Sequence, residues 1–222
     1  MVNSKIITID GPSGVGKGTL AKNLADELNW VVLDSGSLYR MIGHVSIQKK
    51  TNSFLKIKKE IESKQISFSY KSNSSSISLI LDDEDISSYI RNEEVAKTAS
   101  QFATIPEVRD FLFSIQRSFL SQGEGLIADG RDMGTVVFPE AKWKIFLTAS
   151  AEERARRREN QLKESGLNVN MRILLESIKE RDRKDSTREL SPLVPAEDAL
   201  IIDSSEIGIN DLKQKVLKII RE

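Results

Sequence analysis

The chain has 222 residues, with 33 Lys plus Arg balanced by 33 Asp plus Glu, so its formal charge is zero and points to no nucleic-acid or membrane partner. Its length and 39% hydrophobic content suit one domain, large enough to carry an inserted lobe. The absence of Cys excludes disulfides, thiolate nucleophiles, Cys-ligated zinc and iron–sulfur clusters, and the single His, His44, leaves little room for a Ser-His-Asp triad or a zinc site.

The opening MVNSKIITIDG lacks the basic-then-apolar profile of a secretory signal. No apolar stretch approaches the ~18 residues that span a bilayer, so a cytoplasmic location is the expectation. Ile6-Ile7-Thr8-Ile9 reads as a buried strand, and a helix begins near Lys17 with Leu20, Leu24 and Leu28 on one face. Trp30-Val31-Val32-Leu33 reads as the second strand. The rhythm then changes. Ile66, Phe68 and Tyr70 alternate with Ser, a polar turn over residues 71–76 follows, and Ile77, Leu79 and Leu81 resume the period of two. That pattern predicts a hairpin with one wet face, within a lobe of roughly residues 37–104 inserted between the second and third core strands.

Val108, Phe111, Leu112, Ile115 and Phe119 recur at helical spacing, and Leu126-Ile127-Ala128 gives the third core strand. The fourth is Trp143-Lys144-Ile145-Phe146-Leu147, after which Ser150 and Glu153 predict a capping box. Ala199-Leu200-Ile201-Ile202 reads as a fifth buried strand. Leu212, Val216, Ile219 and Ile220 mark a last helix, with Asn210 as its expected cap. Strand-helix alternation of this kind predicts a parallel sheet covered on both faces.

Gly11-Pro12-Ser13-Gly14-Val15-Gly16-Lys17-Gly18-Thr19 lies between the first strand and the first helix. A phosphate cradle requires that order: glycines let the backbone approach, and successive N–H groups with a helix N-terminus face the anion. Lys17 supplies a mobile positive charge for the β- and γ-phosphates. The strict pattern has Ser or Thr directly after the Lys, whereas here Gly18 precedes Thr19, the form found in nucleoside monophosphate kinases. A switch GTPase would carry Asp-x-x-Gly and Asn-Lys-x-Asp, and neither occurs in the chain.

Three further segments gather charge at the ends of strands, where open parallel sheets bind ligands. Asp34-Ser35-Gly36-Ser37-Leu38-Tyr39-Arg40 follows the second strand; Arg40 suits a second phosphate, and a plain helix cap is the alternative. Asp129 ends the third strand and resembles the acidic position that holds Mg²⁺ through water in P-loop enzymes; Arg131 and Asp132 follow it, with a tight loop and a local Arg–Asp pair as the alternative. Arg154, Arg156, Arg157 and Arg158, then Arg181, Arg183 and Arg188, form two arginine-rich stretches. Solvated helix surface with i,i+4 ion pairs is the bland account of them. Yet one well-placed Arg contributes ~10³ to 10⁵ in phosphoryl transfer.

Together with the glycine-rich loop and Leu33 to Arg40, the runs Ala128-Asp129-Gly130-Arg131-Asp132-Met133-Gly134-Thr135, Lys144-Ile145-Phe146-Leu147, Glu180-Arg181-Asp182-Arg183-Lys184-Asp185 and Pro192-Leu193-Val194-Pro195 resemble the bacterial cytidylate kinases. The resemblance runs in order from about Ile6 to Asp203. It implies a P-loop NTPase-type three-layer α/β/α fold, with a five-stranded parallel sheet and an inserted monophosphate-binding lobe containing the hairpin. The core would comprise residues 1–36 and 105–222, with a mobile lid at about 154–170, and the lobe residues 37–104.

The implied reaction transfers the γ-phosphoryl of ATP to CMP or dCMP, with Mg²⁺, in pyrimidine nucleotide metabolism. By matching motif, Gly11 to Thr19 and Arg157 would hold ATP, and Thr19, directly or through water, and Asp129, through water, would hold the metal. Ser35, Arg40, Ser100, Arg109, Arg131, Asp132, Arg181, Asp185 and Arg188 would line the CMP site, with Lys17, Arg131, Arg188 and Asp129 serving the chemistry. Asp132 with Arg109 would read the cytosine, whose exocyclic amine separates it from uracil, and Asp185 would meet the sugar. The implied state is a monomer with no nucleic-acid or membrane partner. A P-loop kinase for another small acceptor, or an ATP-binding regulatory module without turnover, are the other readings the loop permits, and His44 reads as an ordinary helix residue.

Overall fold

The computed structural model describes residues 3–70, 77–164, 166 and 170–221. In chain order the elements are β1 (Asn3–Asp10), α1 (Lys17–Leu28), β2 (Val31–Asp34), α2 (Ser35–Gln48), α3 (Phe54–Ile61), β3 (Ile66–Tyr70), β4 (Ile77–Leu81), β5 (Glu84–Asp85), α4 (Ser87–Ile90) and α5 (Glu93–Phe102). Then come α6 (Pro106–Ser118), β6 (Leu126–Asp129), a π-helical turn (Met133–Val137), β7 (Ala141–Thr148), α7 (Ala151–Glu164), α8 (Met171–Thr187), β8 (Leu200–Asp203) and α9 (Ile209–Arg221).

Five strands form one parallel sheet in the order β2-β6-β1-β7-β8. β1 is central because both of its faces are apolar. Ile6 belongs to a core beneath α2 and α6, with Leu33, Leu38, Met41, Val108 and Leu112. Ile7 and Ile9 belong to a core beneath α1 and α9, with Leu20, Leu24, Leu212 and Val216. Each such side chain, taken fully out of water, contributes about 1.5–3 kcal/mol, and the two cores make this a three-layer α/β/α fold.

The predicted hairpin is present: Ile66 pairs with Leu81 and Tyr70 with Ile77, with Ser67 and Ser69 on the exposed face. Its turn, residues 71–76, lies outside the described residues. A third strand, β5, which the sequence pattern did not suggest, extends this sheet to the order β3-β4-β5. Apolar residues of the segment between β2 and α6, among them Ile57, Leu79, Ile90 and Phe102, join the core that holds Leu33 and Leu126.

Two expectations need correction. β8 is buried only at Ile202: it is an edge of the sheet, and Ile201 is 57% exposed. The last helix starts at Ile209, so Asn210 lies inside it, and the Gly208 carbonyl accepts from Leu212 N–H. The expected capping box is half made. Ser150 Oγ accepts from Glu153 N–H at 3.1 Å, while the Glu153 carboxylate turns to Arg156 and Arg157.

Candidate active site

β1, β6 and β2 end level with one another, Ile9 beside Asp129 and Asp129 beside Asp34. The glycine-rich loop leaves β1 at this rim. Gly11 has φ of 144°, and a Cβ there would lie 2.2 Å from the Leu147 carbonyl oxygen of β7, so only glycine fits. Gly16, at φ 96°, is the left-handed residue that turns the chain into α1. Val15 is held from behind, its carbonyl accepting from Ser204 Oγ at 2.9 Å. The Ser13 carbonyl accepts from the buried Arg154 at 3.1 Å, and Arg154 is paired in turn with Asp182 of α8. Of the arginines on α7, Arg154 is therefore a brace for the loop and not solvated surface.

Lys17 Nζ donates to the Pro12 carbonyl at 2.9 Å and lies 3.9 Å from Asp129 Oδ1. Burial, with like charge from Arg131, draws its pKa down to about 8. Burial also raises Asp129 to about 7, reinforced by Asp34 and Asp10 and opposed chiefly by Lys17. Asp129 Oδ2 sits 3.4 Å from the place a Cβ on Gly18 would occupy, so its carboxylate lies against the first turn of α1, one residue from Thr19. A buried carboxylate next to a hydroxyl-bearing first turn is an oxygen donor set of the kind that Mg²⁺ accepts.

Across the rim lie the arginines. Arg40, on the second turn of α2, is not solvated: it donates to the Ile90 carbonyl at 2.8 Å and to Asn92 at 3.5 Å, and burial lowers its pKa. Ser35 is buried and its hydroxyl accepts from Gln116 at 2.8 Å, while Asp34 caps the helix through Ser37 N–H. Arg131 does not pair with its neighbour Asp132. It donates to Asp185 of α8 at 3.0 Å, and Asp132 accepts from Arg109 of α6. Arg109 also donates to Ser191 Oγ at 2.6 Å and lies 6.0 Å from the Tyr39 ring centre. Tyr39, Arg109, Gln116, Val137, Leu190 and Ser191 line a cleft of about 210 Å³.

α8 ends at Thr187, so Arg181 and Asp185 share its inner face and Arg188 stands just beyond in extended backbone. Burial and the charge of Arg131 bring Arg181 down to about 10. Arg188 donates to the Ser191 carbonyl, and its buried Nη2 meets no partner among the described residues. Ser100 lies on α5 beside Ala99, which packs on Gly43 of α2. Arg157 is bonded to the Ser204 and Ser205 carbonyls and to Glu153. Arg158 reaches Glu93 of α5 at 2.7 Å. Of the predicted lid, residues 165 and 167–169 lie outside the described residues.

Several contributors lay outside the sequence reading. Ser191 and Gln116 hold predicted residues in place from distant elements, and no local pattern marks them; Arg154 was visible as part of an arginine-rich stretch, but not as the brace of the loop. Asp10 is buried, and its carboxylate accepts from Met133 N–H and Gly134 N–H; burial holds it up at about 6 against those two bonds. A carboxylate ending an otherwise apolar strand was the available signal. His44 stacks on Tyr89 with ring centres 5.7 Å apart.

A parallel sheet with this strand order, a glycine-rich loop running into a helix, and a basin of arginines facing the loop's lysine define a P-loop kinase. The particular family follows from comparison. The cytidylate kinase family model matches residues 7–222, and the chain belongs to that family. A cytidylate kinase of Colwellia psychrerythraea is 50% identical over 97% of this chain and 95% of its own length. One of Shewanella denitrificans is 48% identical over 96% and 94%. Among solved structures, an uncharacterized protein from Eubacterium ventriosum covers 99% of both chains at a TM-score of 0.50 and 14% identity, a likeness of fold. Among the described residues no helix is long and apolar enough to cross a membrane.

Proposed function

We propose that the protein transfers the γ-phosphoryl group of ATP to CMP or dCMP, giving ADP and CDP or dCDP, as a cytoplasmic monomer in pyrimidine nucleotide metabolism. One observation carries this reading. Lys17 of the glycine-rich loop lies 3.9 Å from Asp129, at the end of the strand that leads into Arg131, and feels the charge of Arg131 and Arg181, so a cradle for one polyphosphate stands at the same sheet rim as a basin for a second phosphate.

The residues take roles that follow from their chemistry. The backbone N–H groups of the loop from Gly11 to Thr19, Pro12 excepted, and the Lys17 side chain hold the ATP phosphates, and Arg157 faces the nucleoside end. Arg40, Arg131, Arg181 and Arg188 receive the phosphate of CMP, Asp185 the sugar, and Ser35, Ser100, Arg109 and Asp132 the base. Cytosine offers an amine to the Asp132 carboxylate where uracil presents a carbonyl, which that carboxylate repels. Thr19 and, through water, Asp129 would hold Mg²⁺, which neutralises charge on the phosphates of ATP.

No general base is required, because the attacking phosphate oxygen of CMP is already an anion. Catalysis is then alignment and charge neutralisation in a site closed against water, which would otherwise hydrolyse ATP. The inserted lobe and α7 from Arg154 onward would close over the two nucleotides. α7 already touches α5 through Arg158 and Glu93, while Arg154 keeps its first turn on the glycine-rich loop.

Steady-state rates with Mg-ATP and a panel of CMP, dCMP, UMP, AMP and shikimate test the assignment. CMP and dCMP are expected to lead. UMP, AMP or shikimate outperforming them would overturn it.

A further inference from the structure

The segment carrying Arg131 and Asp132 is fastened at both ends to the last two residues of β1. On one side Gly130 N–H donates to the Ile9 carbonyl at 3.0 Å. On the other, Met133 N–H donates to Asp10 Oδ1 at 2.9 Å and Gly134 N–H to Asp10 Oδ2 at 2.8 Å. Between these fastenings stand only Arg131 and Asp132, whose side chains turn to Asp185 and Arg109. The residue after Asp10 is Gly11, the first of the phosphate cradle.

We infer that Asp10 is a positioning residue for base selection: its carboxylate fixes Asp132 relative to the phosphate cradle, and so sets the preference for cytosine over uracil. The inference rests on the reading that Asp132 faces the base. Asp10 itself lies beneath the loop and acts through it. The π-helical turn starting at Met133 leaves its first N–H groups without partners in the turn, and Asp10 supplies both. Both carboxylate oxygens are used, so the charge-free amide of Asn cannot replace it: one of its ends is an NH₂ that would confront an N–H donor. There is no slack to absorb the change, since a Cβ on Gly134 would lie 2.9 Å from Thr8 Oγ1 and 3.4 Å from Asp10 Oδ2.

A purely structural role would lower stability and reduce all activities alike. Asp10→Asn and Asp10→Ala in the full chain are therefore compared with wild type for kcat and KM with CMP and UMP at saturating Mg-ATP, and for binary binding of a fluorescent ATP analogue. The expected result is a KM for CMP raised about tenfold and a CMP-to-UMP preference reduced by a similar factor, the equivalent of one charge-assisted hydrogen bond, with ATP-analogue affinity nearly unchanged. An unchanged preference, or an equal fall for CMP, UMP and the ATP analogue, overturns the inference. Wild type without any CMP preference would overturn the functional reading and this inference together; a variant that keeps a wild-type preference overturns this inference alone. If neither variant folds, amide exchange in the wild type decides: Met133 and Gly134 should exchange as slowly as the central strands, and fast exchange there refutes the clamp.

Discussion

The two halves of the site are built from different materials. The cradle of residues 11–19 is backbone: its shape is set by Gly11 pressed on β7, Gly16 in the left-handed region, and carbonyls pinned by Arg154 and Ser204. The basin opposite is side chain. Its groups come from α2, α6, the β6 end and α8, and they are folded onto protein carbonyls and carboxylates: Arg40 on Ile90, Arg109 on Asp132, Arg131 on Asp185. The backbone of the cradle is already shaped for its phosphates, and of its side chains Lys17 has the Pro12 carbonyl to leave. The basin has to exchange internal partners for a ligand, which lets it reject a nucleotide that cannot replace them.

That contrast can be broken at several points, beginning with the largest expected effect. Lys17 is the one side chain on which the cradle depends, so Lys17→Ala should lower kcat by about 10³-fold with the circular dichroism spectrum intact. A fall of less than about tenfold would show that backbone groups alone suffice. In the basin, Asp132→Asn should reduce the CMP-to-UMP preference by roughly 10- to 100-fold, the worth of a charged hydrogen bond, while the rate of slow ATP hydrolysis without acceptor stays as it is. Loss of both together would mean that the halves are not separable.

A smaller effect concerns pH. Burial raises Asp129 from the ordinary 3.8 to about 7, so between those values the folded ligand-free chain keeps a proton the unfolded chain has shed. The corresponding stability is full below the lower value and is lost as pH rises through the upper one. Asp129→Asn removes this loss, so melting temperatures measured from about pH 5 to about pH 8 should fall less steeply in the variant than in wild type. Parallel falls in variant and wild type would show the carboxylate ionised throughout. The smallest effect belongs to the exposed pair joining α7 to α5: Arg158→Ala should change stability by no more than about 1 kcal/mol in chemical denaturation. A larger loss would make that contact part of the fold and not of a moving segment.

The same contrast explains what could be read from the sequence. Backbone-built features announce themselves locally, since a strand, a spaced set of glycines and a helix must follow in order, and the five core strands and the hairpin were legible for the same reason of periodicity. Features made by long-range pairing were not. Nothing near Arg131 indicates that its partner is Asp185 rather than Asp132, and Gln116 carries no sign that it holds Ser35. β8 reads as apolar throughout, yet its place at the sheet edge, fixed by tertiary order, leaves Ile201 in water. Asp10 was visible as a residue; its role depends on a turn more than a hundred positions further along.

In the proposed reaction the cradle takes ATP while the basin releases its internal partners to take CMP in line with it. A crystal structure with a bisubstrate analogue, cytidine and adenosine joined through five phosphates, tests both parts at once. Phosphates are expected on the N–H groups of residues 13–19, with Arg131 and Arg40 turned from Asp185 and Ile90 to the cytidine-side phosphate and the cytosine amine against Asp132. An analogue lying outside the cradle, or a bound analogue with Arg131 still on Asp185 and Arg40 still on Ile90, would contradict it.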